Sequence, residues 1–122
     1  MARILVIDDE EDLRSLLRLM LTQAGHEVFD AANGEDGLKL YRATPADLII
    51  TDILMPGKGG LDLLVELHRD YPQARVIAIS GGFNAGGLSA APLTQVLGVQ
   101  RTLHKPFTHD DLLKAVDEVL KS

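Results

Sequence analysis

The sequence contains no cysteine and no tryptophan, and its only aromatic residues are three phenylalanines and two tyrosines among 122 residues. The lack of cysteine excludes disulfides, thiolate nucleophiles and zinc–thiolate sites. Basic residues are also few, with 12 Lys and Arg against 18 Asp and Glu, which gives a formal net charge of −6. Because a nucleic-acid binder normally has a basic face, this balance argues against direct binding of nucleic acid.

Long hydrophobic runs are absent as well. No stretch approaches the roughly 18 apolar residues that a membrane span requires, so no membrane insertion is expected. The N-terminal apolar run is short and soon meets Asp8, unlike a signal peptide, and we expect a cytoplasmic protein. The hydrophobic fraction of 46% and the charged fraction of 25% are ordinary for a globular protein. A chain of this length forms one domain, expected to span 1–122.

Short apolar runs alternate with stretches of helical periodicity along the whole chain. The runs lie at 4–7, 26–31, 48–51, 76–79 and, more weakly, 100–104. Helical patterns are predicted at 11–24, around Leu38 and Tyr41, after Gly60, at 88–98 and from Thr108 onward. The apolar face predicted for the first helix comprises Leu13, Leu16, Leu17, Met20 and Leu21. The face predicted for the third helix comprises Leu61, Leu64, Val65 and His68.

The apolar runs at 4–7, 48–50 and 76–79 are continuous rather than alternating, which is typical of strands covered on both faces by helices. Five strands that alternate with five helices predict an α/β fold with a parallel sheet. Right-handed crossovers make such a sheet doubly wound, with helices on both faces.

Polar residues stand at the carboxyl ends of four of the predicted strands. In chain order they are Asp8, Asp9, Glu10, Asp52, Ser80 and Lys105. Because ligands bind outside the carboxyl ends of the strands in open α/β sheets, we expect these side chains to converge on one edge.

This set of residues predicts phosphoryl chemistry. Crowded carboxylates repel one another, and a hard divalent cation such as Mg²⁺ or Mn²⁺ relieves the repulsion through oxygen ligands alone. Lys105 and Ser80 suit the oxygens of a phosphoryl group. Asp52 is interpreted as a nucleophile that accepts a phosphoryl group as an acyl phosphate.

Four motifs resemble the receiver domain of two-component response regulators. They are ILVIDDEEDLR at 4–14, LIITDILMPGKGG at 48–60, AIS at 78–80 and HKPF at 104–107. They occur in the family's order across the whole chain, whose length is similar to that of a single-domain regulator of the chemotaxis type. The resemblance implies a flavodoxin-like fold with strand order 2-1-3-4-5 and a signalling role rather than that of a metabolic enzyme.

The resemblance also implies a metal site. In receivers of this kind Asp9 and Asp52 would ligate Mg²⁺ directly, together with the backbone carbonyl of Leu54. Asp8 would act through a water molecule. Mn²⁺ is an alternative cation.

The phosphoryl group is implied to come from a sensor histidine kinase or a histidine phosphotransfer protein and to be carried on Asp52. Ser80, Gly81 and Lys105 would bind its oxygens, and the peptide bond between Lys105 and Pro106 is often cis in the family. A downstream protein target would bind the surface of the fourth helix, fifth strand and fifth helix, where receivers also form homodimers.

Some positions depart from the family pattern. Thr102 occupies the place of an aromatic residue that normally moves inward on phosphorylation. Four glycines at 81–87 predict a mobile loop, and we hypothesise that output depends on ordering this loop. Leu54 and Gly82 have no polar side chain to orient attacking water, which favours a phosphorylated state of moderate to long lifetime.

Two other functions remain open from the sequence. A Mg²⁺-dependent phosphohydrolase would need a second carboxylate two residues after the nucleophile, where Leu54 stands. The second is a pseudo-receiver, which acts as an interaction scaffold without being phosphorylated. Intact Asp9, Asp52 and Lys105 argue against it, while Thr102 and the glycine-rich segment leave it open.

Overall fold

The structure is a computed structural model that describes residues 2–53, 60–80 and 98–121, apart from the side chains of Leu61 and Ser80. The predicted glycine-rich loop at 81–87 lies outside the described residues, and so does the predicted helix at 88–98 except for Gly98. In the described ranges, none of the helices is long and apolar enough to cross a membrane.

The described residues form five strands and four helices. The strands are β1 (Arg3–Ile7), β2 (Glu27–Ala31), β3 (Leu48–Asp52), β4 (Val76–Ser80) and β5 (Arg101–His104). The helices are α1 (Glu11–Gln23), α2 (Gly34–Ala43), α3 (Gly60–Asp70) and the C-terminal α4 (His109–Lys121). All strand pairings are parallel and the order is β2-β1-β3-β4-β5. The predicted fold and strand order are confirmed.

Two hydrophobic cores lie on opposite faces of the sheet. Successive residues of a strand point to opposite faces, so Ile4 and Val6 of β1 join one core while Leu5 and Ile7 join the other. The first core is closed by α1 and α4, and the second by α2 and α3. This double coverage explains why the central strands contain the continuous apolar runs at 4–7, 48–50 and 76–79.

The predicted buried face of α1 is only partly correct. Leu17 and Leu21 are fully buried, but Leu16 is half exposed to solvent, as is Leu19 on the same helix. Apolar residues surround much of α1, so helical periodicity alone does not determine which of them face the sheet.

The predicted face of α3 is wrong by about one position. The buried residues are Leu63, Leu64 and Leu67, whereas Val65 and His68 are exposed. Of the predicted face, Leu64 is therefore correct. Because leucine or valine occupies most positions from 61 to 67, several faces satisfy the helical spacing, and contact with the sheet selects one of them.

A reciprocal cap begins α4 shortly after Lys105. The N–H of Asp111 donates to Oγ1 of Thr108 at 3.0 Å, and the N–H of Thr108 donates to Oδ2 of Asp111 at 3.1 Å. This pair of hydrogen bonds is a capping box, and it agrees with the helix predicted from Thr108 onward. The cap limits the connection from β5 to a few residues, which keeps Lys105 at the carboxyl edge of the sheet.

Gly37 of α2 lies directly against Ile7, the last residue of β1. A Cβ atom at position 37 would lie 2.8 Å from Cγ1 of Ile7 and closer still to its Cδ1. We expect Gly37→Ala to lower the free energy of unfolding by about 1 kcal/mol, because displacing Ile7 outweighs the gain of roughly 1 kcal/mol in helix propensity. Urea unfolding followed by circular dichroism measures the difference.

The control for this prediction is the same substitution in an Ile7→Val background, which removes Cδ1. There Gly37→Ala should destabilise less, because the nearest atom is gone although Cγ1 still lies 2.8 Å from the added Cβ. Equal destabilisation in both backgrounds would show that contact with Ile7 is not the cause.

Candidate functional site

The carboxyl ends of β1, β3 and β5 bring Asp8, Asp52 and Lys105 together, as expected from their positions after the strands. The Nζ of Lys105 donates to Oδ2 of Asp52 at 3.1 Å and lies 4.0 Å from Oδ2 of Asp8. Asp8 and Asp52 are both buried. One ammonium group therefore lies between two carboxylates that solvent hardly reaches.

Glu10 is a third carboxylate in the same cluster. Its Oε1 lies 3.4 Å from Nζ of Lys105, although most of the Glu10 side chain is exposed. Asp8, Glu10 and Asp52 each place a carboxylate oxygen within 4.8 Å of the other two. The sequence places Glu10 at this edge but does not reveal its contact with Lys105, which depends on the turn after β1.

Asp8 is the most enclosed of the acids. Its Oδ1 accepts a hydrogen bond from the N–H of Glu10 at 2.8 Å, whereas its buried Oδ2 has no hydrogen-bond partner among the described residues. Burial raises the pKa of Asp8 to about 6. The charges of Asp52 and Glu10 also raise it, while the hydrogen bond from Glu10 and the ammonium of Lys105 oppose the shift.

Lys105 stays charged in this setting. Burial lowers the pKa of Lys105, but the hydrogen bond to Asp52 and the charges of the surrounding carboxylates outweigh it, so the pKa lies above its usual value. The cluster thus holds three carboxylates against one ammonium group. A buried carboxylate oxygen without a hydrogen-bond partner, in a set of oxygen donors alone, fits a hard divalent cation such as Mg²⁺.

The other predicted site residues lie beside the cluster or outside the described residues. Asp9 is exposed and does not belong to the group of acids that lie together. Ser80 ends β4 opposite His104 of β5, which places it at the same edge of the sheet. Leu54 and Gly81 fall outside the described residues, so the metal and phosphate roles predicted for them stay predictions.

The surroundings of Lys105 match the family pattern in one respect and depart from it in another. The peptide bond between Lys105 and Pro106 is cis, as in many members of the family. Thr102 lies in β5, paired with Ala78 of β4 and partly buried. A small hydroxyl side chain therefore occupies the position where an aromatic ring is usual.

Asp8→Asn should stabilise the metal-free protein by about 2 kcal/mol at neutral pH. The pKa of Asp8 is higher in the folded protein than its usual 3.8, so the charged form destabilises the fold. That penalty is fully present above about pH 6 and disappears as the pH falls through roughly 4. Asn retains an acceptor for the N–H of Glu10 and offers its amide to the neighbouring carboxylates.

Urea unfolding of both proteins in chelator, at about pH 7.5 and about pH 4.5, measures this effect. The stabilisation by Asn should be large at the higher pH and much smaller at the lower. A difference that does not change with pH would contradict the prediction.

A parallel, doubly wound α/β domain with acids and a lysine at the carboxyl edge of its sheet defines a class of signalling domain. The family model of the response regulator receiver domain matches residues 4–117. The chain belongs to this family of two-component signalling domains.

Proteins similar to this chain include both single-domain and longer regulators. The chemotaxis protein CheY of Thermotoga maritima is 31% identical over 121 residues, which are 98% of each chain. The transcriptional regulatory protein GlrR of Escherichia coli is 32% identical over 98% of this chain, which spans only 26% of GlrR. A receiver domain protein from Clostridium thermocellum has a solved structure with a TM-score of 0.89 and 33% identity, covering 99% of this chain and 95% of its own.

Proposed function

We propose that this chain is a phosphoacceptor switch that receives a phosphoryl group on Asp52 from a phosphohistidine of a sensor kinase or a phosphotransfer protein. The observation that carries the proposal is the buried Asp52 carboxylate, whose Oδ2 lies 3.1 Å from the ammonium of Lys105. Membership of the receiver family supports the same role.

In the transfer step, a carboxylate oxygen of Asp52 attacks phosphorus as the bond between phosphorus and the histidine nitrogen breaks. The bonding pair stays on the imidazole nitrogen, which takes up a proton, and Asp52 becomes an acyl phosphate. Lys105 already faces Asp52 and offsets negative charge on the phosphoryl oxygens. Ser80 and Gly81 are proposed to contact the same oxygens.

The acidic residues are proposed to hold Mg²⁺, or Mn²⁺ in its place. The family resemblance assigns direct contacts to Asp9, Asp52 and the carbonyl of Leu54, and a water-mediated contact to Asp8. The buried Oδ2 of Asp8 supports cation binding at this edge. A bound divalent cation supplies neutralisation of the charge that the phosphoryl group brings.

Phosphorylation is proposed to change the binding of a downstream protein, or of a second copy of the chain, at the surface that the predicted helix at 88–98 would form with β5 and α4. The switch would operate as one domain, 1–122, in the cytoplasm. Because Leu54 and Gly82 have no polar side chain to orient attacking water, we expect hydrolysis of the acyl phosphate to take longer than a few seconds.

The test is incubation with acetyl phosphate and Mg²⁺, followed by intact-mass measurement. We expect one phosphoryl increment that a chelator prevents and hydroxylamine removes, because hydroxylamine cleaves acyl phosphates. No increment would contradict the proposal and favour a scaffold, and repeated turnover of an unrelated phosphate ester would favour a phosphohydrolase.

A further inference from the structure

Arg14 connects helix α1 to the turn that carries the acidic residues. Its Nη1 donates to the backbone carbonyl of Asp8 at 2.8 Å, and its Nε donates to Oδ2 of Asp30 at 2.9 Å. Arg18, one helical turn later, donates from Nη1 to Oδ1 of Asp30 at 2.9 Å. Only 17% of the Arg14 side chain and 25% of the Asp30 side chain are exposed, so this ion pair is largely shielded from solvent.

The contact with Arg14 completes the backbone hydrogen bonding of Asp8. The N–H of Asp8 donates to the carbonyl of Ala31 at 3.1 Å, and Oδ1 of Asp8 accepts from Glu10. With the carbonyl held by Arg14, Oδ2 is the atom of Asp8 left to face the acidic cluster. Glu10, the N-cap of α1, makes no side-chain cap, so Arg14 supplies an anchor that the helix start itself does not.

The carbonyl that Arg14 holds belongs to the peptide bond between Asp8 and Asp9. The orientation of that peptide plane determines where the chain directs the side chains on either side of it. We infer that Arg14 is a positioning residue, which orients the carboxylate of Asp8 for a divalent cation by fixing this peptide against α1 and Asp30. The inference rests on the proposed function for its role in phosphoryl transfer.

Removal of Arg14 should affect the affinity for a divalent cation in two opposite ways, which makes the inference testable. Loss of a positive charge near carboxylates should by itself strengthen cation binding. Loss of orientation should weaken it, and outer residues that orient metal ligands typically contribute about tenfold or more to affinity. Arg18 is a matched control because it shares the charge and the partner Asp30, while the hydrogen bond to Asp8 comes from Arg14.

The experiment measures Mn²⁺ affinity by electron paramagnetic resonance for wild type, Arg14→Met, Arg14→Lys and Arg18→Met. We expect Arg14→Met to bind Mn²⁺ about tenfold more weakly, and Arg18→Met to bind it as tightly as wild type or slightly more so. Arg14→Lys retains the charge but cannot make both contacts of the guanidinium, so we expect an intermediate affinity. Circular dichroism verifies that each variant is folded.

Binding by Arg14→Met as tight as by wild type, or equal weakening in the Arg18 variant, would overturn the inference. If Arg14→Met does not fold, the inference is tested in the same way by comparing the Mn²⁺ affinity of Arg14→Lys with that of Arg18→Met. In phosphorylation by acetyl phosphate, the Mg²⁺ concentration for half-maximal rate should rise in Arg14→Met while the rate at saturating Mg²⁺ is retained. Mn²⁺ binding requires no phosphoryl transfer, so failure of wild type to become phosphorylated would contradict the proposed function and leave this inference standing.

Discussion

Asp52→Asn is expected to abolish the phosphoryl increment that wild type gains from acetyl phosphate and Mg²⁺. An amide in place of the carboxylate is too weak a nucleophile to form an acyl phosphate. Because Asn has nearly the same shape, its amide oxygen can still accept a hydrogen bond from Lys105, and the domain should fold. Intact mass after several incubation times measures the loss.

The control for this prediction is Asp62→Asn, which changes an exposed acid in α3 and should leave the increment unchanged. Peptide mapping of wild type should place the modification on Asp52. An increment of similar size in Asp52→Asn would show that another acid, such as exposed Asp9, is the acceptor.

Lys105→Met is expected to lower the free energy of unfolding of the metal-free protein by about 2 kcal/mol at neutral pH. The substitution leaves the carboxylates of Asp8, Glu10 and Asp52 together without their ammonium partner. The expected loss is below that for a fully buried pair, since 23% of the Lys105 side chain is exposed. Added Mg²⁺ should recover more stability in this variant than in wild type, because the cation takes over the lost charge.

Lys121→Met provides the comparison for Lys105→Met. Lys121 pairs with Asp117 on the solvent-exposed side of α4, where such a pair contributes only about 0.5 kcal/mol. Urea unfolding with chelator and with Mg²⁺ separates the two positions. Equal losses in both variants, or no greater recovery with Mg²⁺ at position 105, would contradict the role given to Lys105.

The fold could be predicted from sequence because its strands are marked by unbroken apolar runs. The runs at 4–7, 48–50 and 76–79 are each bounded by polar residues, and an unbroken apolar run such as 76–79 is typical of a strand that helices cover on both faces. The faces of α1 and α3 could not be predicted equally well. Where Leu63, Leu64 and Val65 follow one another, the packing of the helix on the sheet decides which of them is exposed.

The sequence predicts those site residues whose position is determined by the end of a strand. Asp8, Asp52 and Lys105 follow the rule that the carboxyl edge of a parallel sheet collects ligands. The turn after β1 is different, because three acids follow one another there and backbone geometry decides which of them faces inward. That geometry brings Glu10 to Lys105, leaves Asp9 exposed and gives Arg14 its contact with the Asp8 carbonyl.

Asp52 ends β3 and Lys105 follows β5, the two strands that lie on either side of β4. This arrangement has consequences for folding. A partly folded chain with β1, β2 and β3 in place would already crowd Asp8 against Asp52, while Lys105 arrives only when β5 pairs with β4. Such an intermediate would carry repulsion that the ammonium of Lys105 offsets once the sheet is complete. The acidic edge therefore favours cooperative, all-or-none folding of the domain over accumulation of half-assembled forms.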